Sequence, residues 1–89
     1  MVEKEILDFY KSLDFMKIGQ AIQRKNWQAA AMIERRMEKQ IRDLKIKELD
    51  SNIVGLRQCI NRKDVQGAKQ VLSIIIAKRV KVLNSRTEG

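Results

Sequence analysis

Apolar residues recur every three or four positions along most of the chain, which is the spacing of one face of an α-helix. The first such face carries Trp27, Ala30, Ile33, Met37, Ile41 and Leu44. The second carries Ile46, Leu49, Ile53, Leu56 and Ile60, and the third carries Ala68, Leu72, Ile75, Arg79 and Leu83. The chain has no proline and no alternating strand pattern bounded by turn residues. The pattern therefore predicts three helices separated by short turns.

The first 24 residues carry two apolar stripes that are offset from each other. One consists of Ile6, Phe9, Leu13 and Met16, and the other of Phe15, Ile18 and Ile22. The offset predicts a break near residues 12–14, with Asp14 as the N-cap of the following helix. One kinked helix over residues 2–24 is the alternative. Residues 84–89 have no apolar anchor, and we expect them to form a frayed tail.

A nine-residue motif occurs twice in the chain. Residues 22–30 and 60–68 share the pattern I-x-R-K-[N/D]-x-Q-[A/G]-A. An Arg-Lys pair favours the end of a helix, because cations interact well with the C-terminal end of the helix dipole. Asn26 and Asp64 can then cap the next helix by accepting its free N–H groups. The small residues that follow would let that helix pack closely, so each copy predicts the tight turn of a helical hairpin.

With a further turn around residues 44–45, the two hairpins predict an overall architecture. We expect an all-α fold, an antiparallel up-down four-helix bundle with a short additional N-terminal helix. The whole chain, residues 1–89, would form a single domain. Two hairpins are too few for a solenoid of repeats.

The doubled turn resembles that of the histidine phosphotransfer (HPt) domain, a four-helix bundle of bacterial phosphorelays. In that family one such turn opens the helix that bears the phosphorylated histidine, and a similar turn opens the last helix. Residues 25–29 and 63–68 match these two turns. The apolar positions that match the family between them are Leu44, Leu49, Ile53 and Leu56. The resemblance covers an HPt-like core of about residues 15–83 and implies the family's fold and a role in two-component signalling.

The family's signature, His-x-Leu-Lys-Gly, aligns with residues 35–39 of this chain, which read Arg-Arg-Met-Glu-Lys. Arg35 stands at the position of the phosphorylated imidazole, and Glu38 at that of the assisting lysine. A guanidinium stays protonated at ordinary pH and cannot accept a phosphoryl group as a nucleophile. The resemblance therefore implies a degenerate, non-catalytic HPt-like module.

Composition narrows the chemistry further, because the chain has no histidine and one cysteine, Cys59. This excludes a Cys/His zinc site, a Ser-His or Cys-His catalytic pair and an internal disulfide. Glu34 and Glu38 are interpreted as surface ion-pair partners and not as a metal or acid–base pair. We predict no enzyme activity, no catalytic residue, no metal and no cofactor. A single free cysteine and no long apolar run predict a cytoplasmic protein without a membrane span.

The formal net charge of +8 makes an acidic partner or a polyanion an obvious candidate ligand. Arg35, Lys39 and Arg42 lie at i, i+4 and i+7 on one helix face, with Arg36 beside them. In the HPt family this face docks a receiver domain, so the four cations are the candidate partner-binding residues for a response-regulator receiver domain or a sensor kinase. A solvated helix face is the plainer interpretation.

A basic helical nucleic-acid-binding protein is the alternative function, because phosphate contacts alone give salt-sensitive binding. Against it, the basic residues are spread over several helices and no aromatic residues for base stacking lie among them. Trp27 is interpreted as a hydrophobic plug at one end of the bundle. An exposed edge of Val71, Ile74 and Val82 on the last helix would allow a homodimer, although a helix that contacts two neighbours can be equally apolar.

Overall fold

Five α-helices occupy the part of the chain that the computed structural model describes, residues 2–87, and no strand is present there. They are α1 (Val2–Tyr10), α2 (Asp14–Gln23), α3 (Trp27–Asp43), α4 (Lys47–Asn61) and α5 (Val65–Thr87). The predicted break near residues 12–14 is confirmed, since α1 and α2 are separate helices. Residues 84–87 of the predicted frayed tail are helical, and residues 88–89 lie outside the described part.

Four of the helices pack against one another in a ring. Helix α2 packs against α3, α3 against α4, α4 against α5, and α5 against α2. Helix α1 packs against α5. In such a ring the α3–α4 contact lies on the opposite side from the α2–α5 contact. An all-helical fold with four helices packed together is therefore confirmed. Within residues 2–87 no helix combines the length and hydropathy that crossing a membrane requires.

The three turns that join α2 to α5 share one backbone geometry. Lys25, Lys45 and Lys63 are each left-handed, with φ between 56° and 58°. The N–H of the following residue bonds to the carbonyl five positions earlier, as from Asn26 to Ala21 at 2.8 Å. This pattern is the Schellman motif, which satisfies carbonyls at a helix end and reverses the chain. The two turns predicted from the repeated motif are thus two of three turns that share this backbone geometry.

The predicted capping residues behave differently from one another. The side chain of Asn26 accepts a hydrogen bond from the Ala29 N–H at 3.2 Å, and that of Asp64 accepts one from the Gly67 N–H at 2.9 Å. Both caps are confirmed. A Cβ at Gly67 would clash with the Asp64 carboxylate, so a larger residue there would require the capping side chain to shift. The turn between α3 and α4 has Ile46 at the N-cap position and no side-chain hydrogen bond there.

The prediction that Asp14 caps α2 is wrong. Leu13 occupies the N-cap position, and Asp14 is the first residue of the helix. The hydroxyl of Ser12 accepts a hydrogen bond from the Asp14 N–H at 3.1 Å. The Asp14 carboxylate is buried and faces α3, where it accepts two hydrogen bonds from Arg36. A charged partner across the helix interface has taken precedence over the local cap.

Three of the four aromatic residues form a cluster where α1 meets α2. Phe9 contacts Tyr10 and Phe15 edge to face, with ring centroids 5.6 Å and 5.2 Å away. The guanidinium of Arg79 lies 5.3 Å from the Phe15 ring centroid, and its Nε donates to the Tyr10 carbonyl at 2.6 Å. This contact explains why an arginine stands among the apolar positions of α5. Arg79 also stabilises the last turn of α1, because a cation interacts favourably with the C-terminal end of the helix dipole.

Candidate partner-binding site

A groove between α3 and α4, called here the basic groove, collects most of the predicted partner-binding residues. It has a volume of about 470 Å³ and is lined by Arg35, Glu38, Lys39, Arg42, Asp43 and Arg57. Arg35, Lys39 and Arg42 share one face of α3, as their spacing predicts. Arg57 comes from α4 and adds a fourth cation. Sequence reasoning missed Arg57, because only packing brings α4 beside this face of α3.

Ion pairs partly neutralise the cations of this groove. Glu38 Oε2 forms ion pairs with Arg42 Nη2 at 2.5 Å and with Arg57 Nη1 at 2.8 Å. Lys39 pairs with Asp43 at 3.2 Å, one helical turn further along α3. Arg35 is exposed and forms no ion pair with any described residue. The lining therefore contains four cations against two carboxylates, and Arg35 is the cation most available to a ligand.

Arg36 does not belong to this groove. Its Nε and Nη2 donate to the two carboxylate oxygens of Asp14 at 3.0 Å and 2.8 Å. Paired guanidinium and carboxylate groups in this two-bond geometry hold their orientation firmly. The structure thus separates Arg36 from the other three predicted residues and uses it to connect α3 with α2.

The interpretation of Glu34 and Glu38 as surface ion-pair partners is wrong for their location, because both side chains are buried. Glu34 is 1% exposed and Glu38 6%, on the same face of α3 as Ala30, Met37 and Ile41. Glu38 does form ion pairs, with Arg42 as the spacing suggests and also with Arg57. The i, i+4 positions place both glutamates in line with the apolar stripe, and that alignment was the signal of their burial.

Burial of Glu34 changes its chemistry. Its Oε2 has no hydrogen-bond partner among the described residues. Burial raises the pKa of Glu34 to about 8, and a hydrogen bond to Glu38 and the charge of Glu38 act in the same direction. The charges of Arg57 and Arg35 lower that pKa in part. The raised pKa favours the protonated form of the Glu34 carboxyl at neutral pH.

The exposed cations of the basic groove are able to bind an anion. Among residues 2–87, no group of three or more His, Cys, Asp or Glu side chains is placed to hold a metal ion. At the positions aligned with the HPt signature, Met37 is fully buried and Arg35 is exposed at the groove. An incoming carboxylate or phosphate can reach Arg35 directly and can compete with Glu38 for Arg42 and Arg57.

Two other predicted features lie away from this groove. Trp27 is half-buried and packs against the core, as the sequence predicts. Of the proposed homodimer edge, Val71 and Val82 also pack against the core, and Ile74 is exposed. The three residues therefore do not form a continuous exposed edge.

Comparison of the chain with models of protein families, with curated proteins and with solved structures finds no match. The function proposed below is consequently based on the chain's own residues and on the resemblance described above.

Proposed function

We propose that this protein is a non-catalytic, HPt-like interaction module that docks an acidic protein partner in the basic groove. A response-regulator receiver domain or a sensor kinase of a two-component system is the expected partner. The observation that carries the proposal is the convergence of Arg35, Lys39 and Arg42 from α3 with Arg57 from α4. The same face of the corresponding helix docks receiver domains in the family that the sequence resembles.

The groove has a physical mechanism for binding a carboxylate cluster. Arg35 offers an unpaired guanidinium, and charge-assisted hydrogen bonds to carboxylates are among the stronger polar contacts. The side chains of Arg42 and Arg57 are 65% and 41% exposed, so both can exchange Glu38 for an external carboxylate without moving into the core. Exposed charges of this kind mainly increase the association rate and set the partner preference.

Arg35 also explains why the proposed module would be non-catalytic. It occupies the position of the histidine that accepts the phosphoryl group in the resembled family. Its guanidinium stays protonated and cannot become that nucleophile. Such a protein would occupy the docking face of a receiver domain without passing a phosphoryl group to it, and would thereby compete with active phosphotransfer proteins.

Titration calorimetry against a panel of receiver domains and against a DNA duplex, at low and moderate salt, tests this proposal. We expect binding to at least one receiver domain that weakens about tenfold, or about 1.4 kcal/mol, in Arg35→Glu and in Lys39→Glu. The matched control is Lys81→Glu, which makes the same charge change at an exposed site on α5. It should leave the affinity within about twofold.

Two results would overturn the proposal. One is binding to DNA alone, with a steep salt dependence that Arg35→Glu and Lys39→Glu abolish, which would instead establish the nucleic-acid-binding alternative. The other is an equal loss of receiver binding in Lys81→Glu, which would show that net charge and not the basic groove determines the affinity.

A further inference from the structure

A second groove, called here the apolar groove, lies between α2 and α5, on the opposite side of the four helices from the basic groove. It has a volume of about 480 Å³. Its lining residues are Phe15, Met16, Gly19, Gln20, Ile22, Gln23, Lys69, Leu72, Ser73 and Ile76. The side chains of Phe15 and Leu72 are buried at its base, while Met16 is 54% exposed. The groove thus has a buried apolar floor, formed by Phe15 and Leu72, and an exposed apolar rim at Met16.

Small and exposed side chains shape this groove. At Gly19, which also lines the groove, a Cβ would make ordinary van der Waals contact with the Leu72 side chain at 3.4 Å. Ile76 is exposed on the α5 side, and the surface continues past Met16 to Leu13, which is 61% exposed. Adjoining exposed apolar side chains in a concave surface are the kind of feature that binds an apolar helix face.

The charges beside the apolar groove have one sign. Among the described residues that line the groove and its continuation at Leu13, the charged ones are Lys69 and Arg79, and none is acidic. They stand near opposite ends of the apolar surface, about 15 Å apart along α5. A helix that complements this surface therefore needs apolar residues in its middle and acidic residues toward its two ends, over about three helical turns.

We propose that the apolar groove binds an amphipathic helix of a partner protein, with apolar anchors on Met16 and Ile76 and acidic residues facing Lys69 and Arg79. A second copy of this chain fits less well. A symmetric pairing through this groove would bring the same cations together, on molecules that each carry a net charge of +8. The proposal is independent of the basic groove and would give the protein two interaction surfaces on opposite sides.

Two synthetic peptides of about 14 residues provide the probe. Both carry leucines at i, i+3, i+4 and i+7, and one has glutamates toward its ends where the other has lysines. Fluorescence anisotropy should show saturable binding of the acidic peptide and at least about tenfold weaker binding of the basic one. Met16→Glu and Ile76→Glu should each weaken binding of the acidic peptide by about tenfold or more.

The matched control is Met32→Glu, because Met32 is 64% exposed on α3 and lies outside the apolar groove. It should leave the peptide affinity unchanged, and because the probe is a peptide and not a receiver domain, this test does not depend on the proposed receiver docking. Circular dichroism melting of each variant establishes that it is folded before its affinity is compared.

Several results would overturn the helix-binding proposal. These are equal affinity for the two peptides, no binding of the acidic peptide at millimolar concentration, and an equal loss in Met32→Glu. Sedimentation showing a dimer that Met16→Glu dissociates would assign the groove to a second copy. If the protein bound vesicles of anionic phospholipid but not the peptide, and Ile76→Glu abolished the vesicle binding, the apolar groove would be assigned to a lipid surface.

Discussion

The two grooves lie on opposite sides of the same four helices and are built from different chemistry. The α3–α4 side has Glu38 between Arg42 and Arg57, with Glu34 buried beside it. The α2–α5 side has a floor of Phe15 and Leu72 and no carboxylate among its described lining residues. One side presents exposed charges beside a buried acid, and the other presents an apolar surface that continues into the core.

This difference separates the residues that stabilise the fold from those available for recognition. Ion pairs with exposed partners contribute about 0–1 kcal/mol each, whereas a buried leucine contributes several times as much. A buried carboxyl such as that of Glu34 costs stability unless it is neutral. We therefore expect substitutions on the α2–α5 side to change the free energy of unfolding most, and substitutions in the basic groove to change binding and pH dependence.

The largest effect is expected from Leu72→Ala, which removes buried methyl groups at the base of the apolar groove. It should lower the free energy of unfolding by about 3 kcal/mol, since large-to-small core substitutions cost about 2–5 kcal/mol. Urea denaturation at pH 7 measures this. Val80→Ala is the control, because Val80 lies on the same helix but is exposed, and it should cost less than about 1 kcal/mol. Similar losses in both variants would contradict the assignment of stability to the floor of the groove.

The next effect is the pH dependence that Glu34 confers on the α3–α4 side. Its pKa is about 8 in the folded protein, against about 4.5 for an ordinary glutamate. Between these values the folded state binds more protons than the unfolded state, so stability falls as pH rises from about 4.5 to about 8. Glu34→Gln should remove this contribution, of the order of a few kcal/mol, and flatten the pH profile.

Urea denaturation midpoints of both proteins between pH 5 and pH 9 measure this difference. The denaturation midpoint of Glu34→Gln should increase relative to that of the parent protein as the pH rises. Glu5→Gln, which neutralises an exposed glutamate on α1, is the control and should run parallel to the parent. Parallel profiles for Glu34→Gln as well would mean that Glu34 is ionised in the folded state at neutral pH.

A smaller effect is expected from Arg57→Gln, which leaves Glu38 with Arg42 as its ion-pair partner. The loss should be about 1 kcal/mol, because one charged hydrogen bond disappears while water can still reach the site. Removal of this cation should also raise the pKa of Glu34 further, since Arg57 lowers it in the parent protein. Stability measurements at pH 7 and pH 9 follow both changes. Arg62→Gln, at an exposed position at the end of α4, should change neither, and an equal effect there would argue against a specific role for Arg57.

Local sequence rules predicted the helices and two of the caps. The apolar stripes follow the helical period, and Asn26 and Asp64 bond within three residues of themselves. These features depend on neighbours in the chain, so one sequence is enough to identify them. The fold class could be predicted for that reason, as could the face shared by Arg35, Lys39 and Arg42.

The ion pairs of α3 depend on contacts between helices, which cannot be identified from one sequence. Asp14 faces Arg36 across α2 and α3, although its position alone favoured a cap. Arg57 reaches Glu38 from α4. Glu34 is buried because its place on the α3 stripe outweighs its polarity, and protonation reduces the cost. For Asp14 and Arg57, a pairing between residues far apart in the sequence determined the outcome.

The smallest expected effect concerns the turn that closes the α3–α4 side. Lys45 has a left-handed backbone with φ 56°, which costs about 1 kcal/mol in a residue with a Cβ. Lys45→Gly should therefore raise the free energy of unfolding by about 0.5–1 kcal/mol, offset in part by the greater entropy of glycine in the unfolded chain. Chemical denaturation at pH 7 measures the gain.

Lys47→Gly provides a control of opposite sign, two residues further along. Lys47 is the first residue of α4, where glycine lacks the helix propensity of lysine and should cost up to about 1 kcal/mol. Unlike the turns at Asn26 and Asp64, this turn has no side-chain cap, because the side chain of its N-cap residue Ile46 has no hydrogen-bond acceptor. The left-handed lysine and the Schellman hydrogen bonds must therefore define it. A loss of stability in Lys45→Gly would show that the lysine side chain itself holds the turn.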